Sequence, residues 1–211
     1  MFKLLERFIM KCPICGMMYV PEYSEDVRAH RIYHDKVVNG VYARKIKSDK
    51  IFWEKSDYRI TVVNYFSSTV QKRRAEEAGL LAHRDTPFDF APYHSKEDLD
   101  KRNVHLFLLS RKIRIIGLLI LEKRTHVQKF NWQEYENAGG KKLLKGEAIW
   151  SIGLVWIHRK YRKMGLGSQF VQAVASYFNI EAQSIGWHIP FTDDGKKLAK
   201  SLCPKSFYVA I

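Results

Sequence analysis

The 211-residue sequence predicts an α+β fold, a mixed sheet preceded by a small N-terminal unit, and three observations carry that expectation. β-Rich runs and helix-forming stretches alternate irregularly, without repeated βαβ units, which favours a mixed sheet over a doubly wound one. Two cysteines within the first fifteen residues are followed by two histidines, which sets residues 1–40 apart from residues 41–211. A long apolar run at 147–157 passes directly into a knot of basic residues and a glycine-containing turn, and then into a helical stretch.

In chain order, Asn39-Gly40 is a turn signal that closes the N-terminal unit. Ile51-Phe52-Trp53 and the run 58–63 read as a hairpin about the polar turn 54–57. Ser67 or Ser68 can cap a helix over 69–81, with Val70, Ala78 and Leu81 apolar and Gln71 grouped with the charged residues on the other face. Residues 84–100, with Pro87, Pro92 and several acids, read as a loop with short helical pieces. The runs 104–109 and 113–122 flank a polar Ser110-Arg111-Lys112 and suit an antiparallel pair at the centre of a sheet. Residues 131–146, with Gly139-Gly140, read as an insertion or flexible loop. A strand over 147–157, a helix over 169–178 and a last strand over 207–211 complete the chain.

Composition narrows the partners. The chain has 36 Lys and Arg against 22 Asp and Glu, a net charge of +14, yet 46% of its residues are apolar and 13% aromatic, too many for a disordered polyelectrolyte. Its longest apolar stretch, 115–121, is far short of the ~20 residues that span a bilayer. No membrane partner is expected. Lys3, Glu6 and Arg7 interrupt any signal-like apolar region, so the chain is expected inside the cell, and three cysteines do not make a disulfide framework. The excess positive charge concentrates at 101–146, with eleven basic residues against three acidic, and at the knot His158-Arg159-Lys160-Tyr161-Arg162-Lys163. Such a surface attracts nucleic acid, a phosphate-bearing cofactor or an acidic protein face.

Cys12, Cys15, His30 and His34 form C-x2-C-x14-H-x3-H. The first spacing brings two thiolates from one tight turn to the same ion, and the second stacks two imidazoles one helical turn apart, the donor set and number that Zn²⁺ takes. Ser24, followed by Glu25 and Asp26, is placed to cap the histidine-bearing helix. A zinc held by four protein ligands has no open position for catalysis, and one finger alone does not read a DNA sequence, so the expected role is structural.

Arg162-Lys163-Met164-Gly165-Leu166-Gly167, followed by Ser168, has the pattern of a pyrophosphate loop. Glycines let the backbone approach an anion closely, and N–H groups at a helix N-terminus point at it with the favourable end of the helix dipole.

These residues resemble the GCN5-related N-acetyltransferase superfamily, whose acetyl-CoA loop follows its fourth strand. The segments Cys12-Pro13-Ile14-Cys15-Gly16-Met17-Met18-Tyr19, Glu25-Asp26, Tyr33-His34 and Asn39-Gly40-Val41, together with His105-Leu106-Phe107-Leu108, Gly117, Trp156 and Cys203, resemble the cohesin acetyltransferases. The resemblance spans most of the chain and is weakest at 64–100 and 124–146. It implies a GCN5-related sheet behind a C2H2 ββα finger at 1–40, an acetyltransferase domain at 41–211, structural zinc, and acetyl-CoA as cosubstrate. It also implies a lysine of the cohesin SMC ATPase subunit as substrate, chromatin or DNA as a contact of the basic surface, and the nucleus as location. Oligomeric state is left open.

On the same resemblance Leu154, Val155, Trp156 and Ile157 supply backbone donors to the pantetheine arm and thioester, while Arg162, Lys163, Met164, Gly165, Leu166, Gly167 and Ser168 hold the pyrophosphate. Gly153 stands where the family has Ser, and Gln172 where Glu is often found. The family's acid near its C-terminal segment falls at Gln183 or Ser184, so Glu181 is the nearest carboxylate. It is the expected base, with Ser151 or Ser184 orienting the lysine and Asp194, in an Asp193-Asp194-Gly195 turn, as a substrate contact. The alternative from a different class is an acetyltransferase-like module that has lost catalysis and binds chromatin or DNA.

Overall fold

The computed structural model describes residues 9–86, 104–137 and 145–210, and the architecture below is that of these residues. Strands β1 (Met10–Lys11) and β2 (Met18–Tyr19) pair antiparallel and precede helix α1 (Ser24–Asn39), a ββα arrangement. The N-cap of this helix is Tyr23, not Ser24. Ser24 is its first residue, and the cap makes no side-chain hydrogen bond. Asp26 instead accepts from the Val20 N–H at 3.0 Å and ties the helix to the hairpin.

The chain leaves α1 through Gly40 into β3 (Val41–Tyr42), which pairs with β7 (Arg114–Asn131). Gly40 has φ +87°, and a Cβ there would lie 2.3 Å from the Ile115 carbonyl oxygen, so both backbone conformation and space require glycine. A Gly40→Ala chain is expected to lose about 2–4 kcal/mol of stability in urea unfolding. A loss under 0.5 kcal/mol would mean that α1 does not seat against β7 in solution.

The main sheet runs in the order β10-β9-β8-β7-β6-β5-β4, from β4 (Lys50–Lys55) and β5 (Tyr58–Val63) through β6 (His105–Arg111), β7 (Arg114–Asn131), β8 (Lys145–Ile157) and β9 (Gly186–His188) to β10 (Ser206–Ala210). The hairpin β4–β5 and the central pair β6–β7 form as the sequence predicts. β7 is longer than expected. Its second half pairs with β10 from Val127 to Asn131, and α3 (Trp132–Asn137) follows, so the loop expected from residue 131 begins as strand and helix; residues 138–144 lie outside the described residues.

The apolar runs in β6 and β7 lack strict alternation because both sheet faces are covered. Phe107, Leu109, Leu119 and Leu121 point into one core, shared with α4 (Leu166–Tyr177) and α5 (Asp193–Leu202). Leu106, Leu108, Leu118 and Ile120 point into the other, shared with Val37 and Val41 and with Ala75, Ala78 and Leu81 of α2 (Thr69–Asp85). Phe107 and Phe170 are fully buried, and truncating either to Ala would cost about 3–5 kcal/mol.

Helix α2 starts at Ser68, whose Oγ accepts from the Gln71 N–H while Gln71 Oε1 accepts from the Ser68 N–H at 2.9 Å. Gln71 is therefore not on the solvent face. It is buried, and its Nε2 donates to the Ser48 carbonyl at 2.9 Å. Among the described residues no helix is long and apolar enough to cross a membrane.

Candidate functional site

At the N-terminal end, one ligand atom from each of Cys12, Cys15, His30 and His34 lies within 4.8 Å of the other three. Cys12 Sγ is 3.4 Å from His34 Nδ1, and the buried His30 Nε2 has no hydrogen-bond partner among the described residues. Two thiols, two imidazoles and an orphaned ring nitrogen converging on one point fit tetrahedral zinc. The Cys15 N–H beside it brings the Cys12 thiol down to about 5, toward the thiolate that binds metal, while burial pushes the Cys15 thiol up. The four residues the sequence singled out thus form one zinc-finger site.

The finger is bound into the larger fold. Arg114 donates to both Asp35 carboxylate oxygens, at 2.6 and 3.2 Å, Lys36 pairs with Glu77 at 3.2 Å, and Arg84 donates to the Ile14 carbonyl at 3.0 Å. His158 reaches it from the opposite side. This buried imidazole accepts from the Lys160 N–H at Nδ1, so Nε2 carries the proton and donates to the Val37 carbonyl at 2.9 Å.

The second feature is a gap in the sheet. β8 and β9 run parallel and pair only at Ser151 with Gly186 and Ile152 with Trp187, whereas β8 stays paired with β7 as far as Ile157. Beyond Ile152 the β9-facing backbone edge of Gly153, Leu154, Val155, Trp156 and Ile157 therefore has no strand partner among the described residues. An unpaired inner edge is able to take an extended, amide-bearing ligand as a strand would take its neighbour.

The mouth of this gap is closed by the glycine loop. After the 3-10 turn Arg159–Tyr161, Lys163 (φ +62°) and Gly165 (φ +74°) both adopt the left-handed conformation, and Gly165 caps α4. Lys163, Met164 and Gly165 are exposed, and the first turn of α4, with Leu166, Gly167 and Ser168, leaves N–H groups without intrahelical acceptors, a seat for an anion. The two glycines differ in duty. A Cβ at Gly165 would be nearest the Gln169 side chain at 3.9 Å, so only its φ demands glycine, whereas a Cβ at Gly167 would meet Leu198 of α5 at 3.4 Å.

Arg162 and Arg159 do not reach freely toward this seat. Both are held by Asp85, the last residue of α2: Arg159 donates to Oδ1 at 2.7 Å, Arg162 to Oδ2 at 2.9 Å, and Trp156 Nε1 to Oδ2 at 3.0 Å, while Arg162 Nε donates to the Ile157 carbonyl at 2.8 Å. One carboxylate thereby locks the end of β8 to the start of the loop. Nothing in the local pattern around residue 85 marks it, since its partners lie more than 70 positions away. Burial alone would raise the Asp85 pKa, but the hydrogen bonds from Arg159 and Trp156 and the two guanidinium charges hold it below the usual carboxylate value. Its stabilisation is thus complete above the unfolded-state value near 4 and fades as pH falls through the lower folded value. Asp85→Ala is expected to cost about 2 kcal/mol at neutral pH, the arginines being partly exposed, and to flatten the acid limb of a stability-against-pH curve; an unchanged limb would show that the clamp is not formed.

The candidate catalytic residues scatter. Ser151 is buried, its Oγ 3.4 Å from the Ile149 carbonyl and 2.4 Å from where a Gly186 Cβ would stand, so it packs beneath the strand pair. Glu181 and Ser184 are exposed on the 3-10 turn Ala182–Ser184 and its leading residue, ahead of β9 and thus at the end of the β8–β9 pair away from the gap. Asp194 is exposed in the first turn of α5, which Thr192 caps by accepting from the Gly195 N–H at 3.1 Å; the expected Asp-Asp-Gly turn is a helix start, where acids complement the dipole. A carboxylate beside the gap is Glu122, the polar end of the apolar run 113–122. It is buried, bonded to Arg124 at 2.5 Å, and next to Gly153.

Against known proteins, the zinc-finger of acetyl-transferase ESCO matches residues 5–36. N-acetyltransferase ESCO1 of Homo sapiens is 24% identical over 212 residues, covering 92% of this chain and 25% of that protein, and N-acetyltransferase ECO1 of Candida glabrata is 22% identical over 219 residues, covering 91% and 83%. Over residues 5–36 the chain matches the ESCO zinc finger, and over about nine-tenths of its length it is similar to the ESCO1 and ECO1 N-acetyltransferases. It spans about a quarter of the length of the mouse and human relatives. Among solved structures, the xEco2 acetyltransferase domain bound to a lysine–CoA conjugate superposes with a TM-score of 0.61 at 22% identity, over 78% of this chain and 98% of that one. The fold is that of the GCN5-related acetyltransferases with a C2H2 finger at its N-terminus.

Proposed function

We propose that this chain is an acetyl-CoA-dependent protein lysine N-acetyltransferase that acts in the nucleus on the SMC ATPase subunit of cohesin, with residues 1–40 as its finger and 41–211 as its catalytic domain. The observation that carries the reading is the β8–β9 gap ending on a left-handed glycine and a helix N-terminus. In it, Leu154 to Ile157 would bond the pantetheine amides, and the loop from Arg162 to Ser168 would hold the pyrophosphate, Arg162 by bracing and the backbone N–H groups by direct contact. That a solved relative is bound to a lysine–CoA conjugate supports lysine as acceptor. Acetylation would remove a lysine charge from the SMC surface and with it that residue's ion pairs and DNA contacts. The basic surface would bring the enzyme to chromatin or to an acidic substrate face.

The test is calorimetric titration of the zinc-loaded protein with acetyl-CoA, followed by mass spectrometry of a recombinant SMC head after incubation with both. Saturable binding and an acetylated lysine are expected. Absence of acetyl-CoA binding, with salt-dependent DNA binding retained, would replace this reading with the non-catalytic chromatin module.

A further inference from the structure

The gap between β8 and β9 has an inner end as well as a mouth, and the chemistry there is unassigned by anything above. The register fixes which residues meet at it. Glu122 of β7 lies opposite Ser151 of β8, and Ser151 opposite Gly186 of β9, so these three share one sheet face. His188, two residues beyond Gly186, is on that same face and level with Gly153, at the first step where β8 and β9 no longer pair. Gly153 is a bulged residue without a side chain, and a Cβ on it would stand 3.2 Å from Glu122 Oε1. Across the apex of the gap the row therefore reads carboxylate, glycine, imidazole.

We propose that His188 is the general base of the transfer and that Glu122, held by Arg124, orients and electrostatically tunes it. The assignment rests on the acetyltransferase reading. With the pyrophosphate at the mouth, the reactive thioester end of the cosubstrate lies inward, beside His188 and away from Glu181 and Ser184. The imidazole accepts one proton from the substrate ammonium. The freed nitrogen lone pair forms the N–C bond to the acetyl carbonyl carbon, the C–S bond breaks, and its electron pair leaves on the CoA sulfur. That thiolate takes the second proton of the new amide nitrogen, and His188 returns its own proton to solvent.

The surroundings suit a base that is neutral at physiological pH. Burial lowers the His188 pKa, Arg124 opposes its protonation further, and Glu122 partly offsets both. The facing residues of β8, Ser151, Ile152 and Gly153, bring no charge, and its β10 partner is Ala210.

The experiment compares the zinc-loaded wild type with His188→Gln, His188→Ala and Glu122→Gln. Acetyl-CoA affinity is measured by calorimetry, and rate against pH by transfer of labelled acetyl to the SMC head and to the enzyme's own lysines. His188→Gln should lower kcat at least about 100-fold with acetyl-CoA affinity unchanged within twofold, and added imidazole should restore part of the His188→Ala rate. Glu122→Gln should move the acid limb of the kcat profile to lower pH, since loss of the carboxylate removes what favours imidazolium. A His188→Gln enzyme with wild-type rate and profile overturns the proposal. Should both His188 variants lose acetyl-CoA binding, Glu122→Gln decides, and an unshifted limb overturns it. A wild type that binds acetyl-CoA but transfers to neither acceptor refutes the base and leaves the cofactor cleft standing, whereas a wild type that does not bind acetyl-CoA refutes the enzyme reading itself.

Discussion

Stripping zinc from the finger is expected to lower the melting temperature of the whole chain, not of residues 12–40 alone, and to weaken acetyl-CoA binding at least about fivefold. A bound metal would hold α1 in place through His30 and His34, and α1 is part of the sheet's second core through Val37 and is held to β7 through Asp35 and Gly40. Its C-terminal end also accepts the proton of His158, the residue between β8 and the loop, so loss of α1 leaves a buried imidazole N–H without an acceptor at the base of the proposed pyrophosphate seat. Scanning calorimetry with and without chelator measures the first effect, and calorimetric titration the second. A biphasic melt whose upper transition ignores the chelator, with unchanged affinity, would show that the finger is an independent module.

Gly165→Val is expected to abolish measurable acetyl-CoA binding, a loss of about 100-fold or more, while moving the melting temperature by only a few degrees. Two effects add. A β-branched residue at φ +74° costs roughly 1–2 kcal/mol, and the side chain would project where the loop backbone meets the phosphates. The space around Gly165 is otherwise open, so the fold itself tolerates the change. Gly167→Val provides the contrast: its side chain would run into Leu198 of α5, so it should cost stability first and binding second. Wild-type acetyl-CoA affinity in Gly165→Val would remove the loop from the cofactor site.

Much of this was legible in the order of residues, and the reason is locality. C-x2-C and H-x3-H act through one turn of chain, a Gly-x-Gly stretch before a helix declares a backbone conformation, and apolar runs in β6, β7 and β8 declare a buried sheet. The short β9 and the burial of Gln71 were not legible, because each is selected by a neighbour distant in sequence: β10 and β8 for β9, the Ser48 carbonyl for Gln71. The surroundings of the candidate catalytic residues were not legible for the same cause. Glu181 was favoured for its place in the chain order, yet it stands ahead of β9 on the exposed side, while Glu122 looked like the polar end of a strand.

By itself, then, the sequence determined that this is a basic α+β chain with a four-ligand zinc finger and a glycine turn leading into a helix, since those features are encoded by spacings within a few residues. Only the tertiary structure decided where β8 and β9 part, that Asp85 clamps Trp156, Arg159 and Arg162, that His158 joins finger to loop, and that Glu122 lies buried against Gly153. Those facts are matters of strand register and of pairings across 35 to 121 residues, for which charge and hydropathy along the chain carry no local sign.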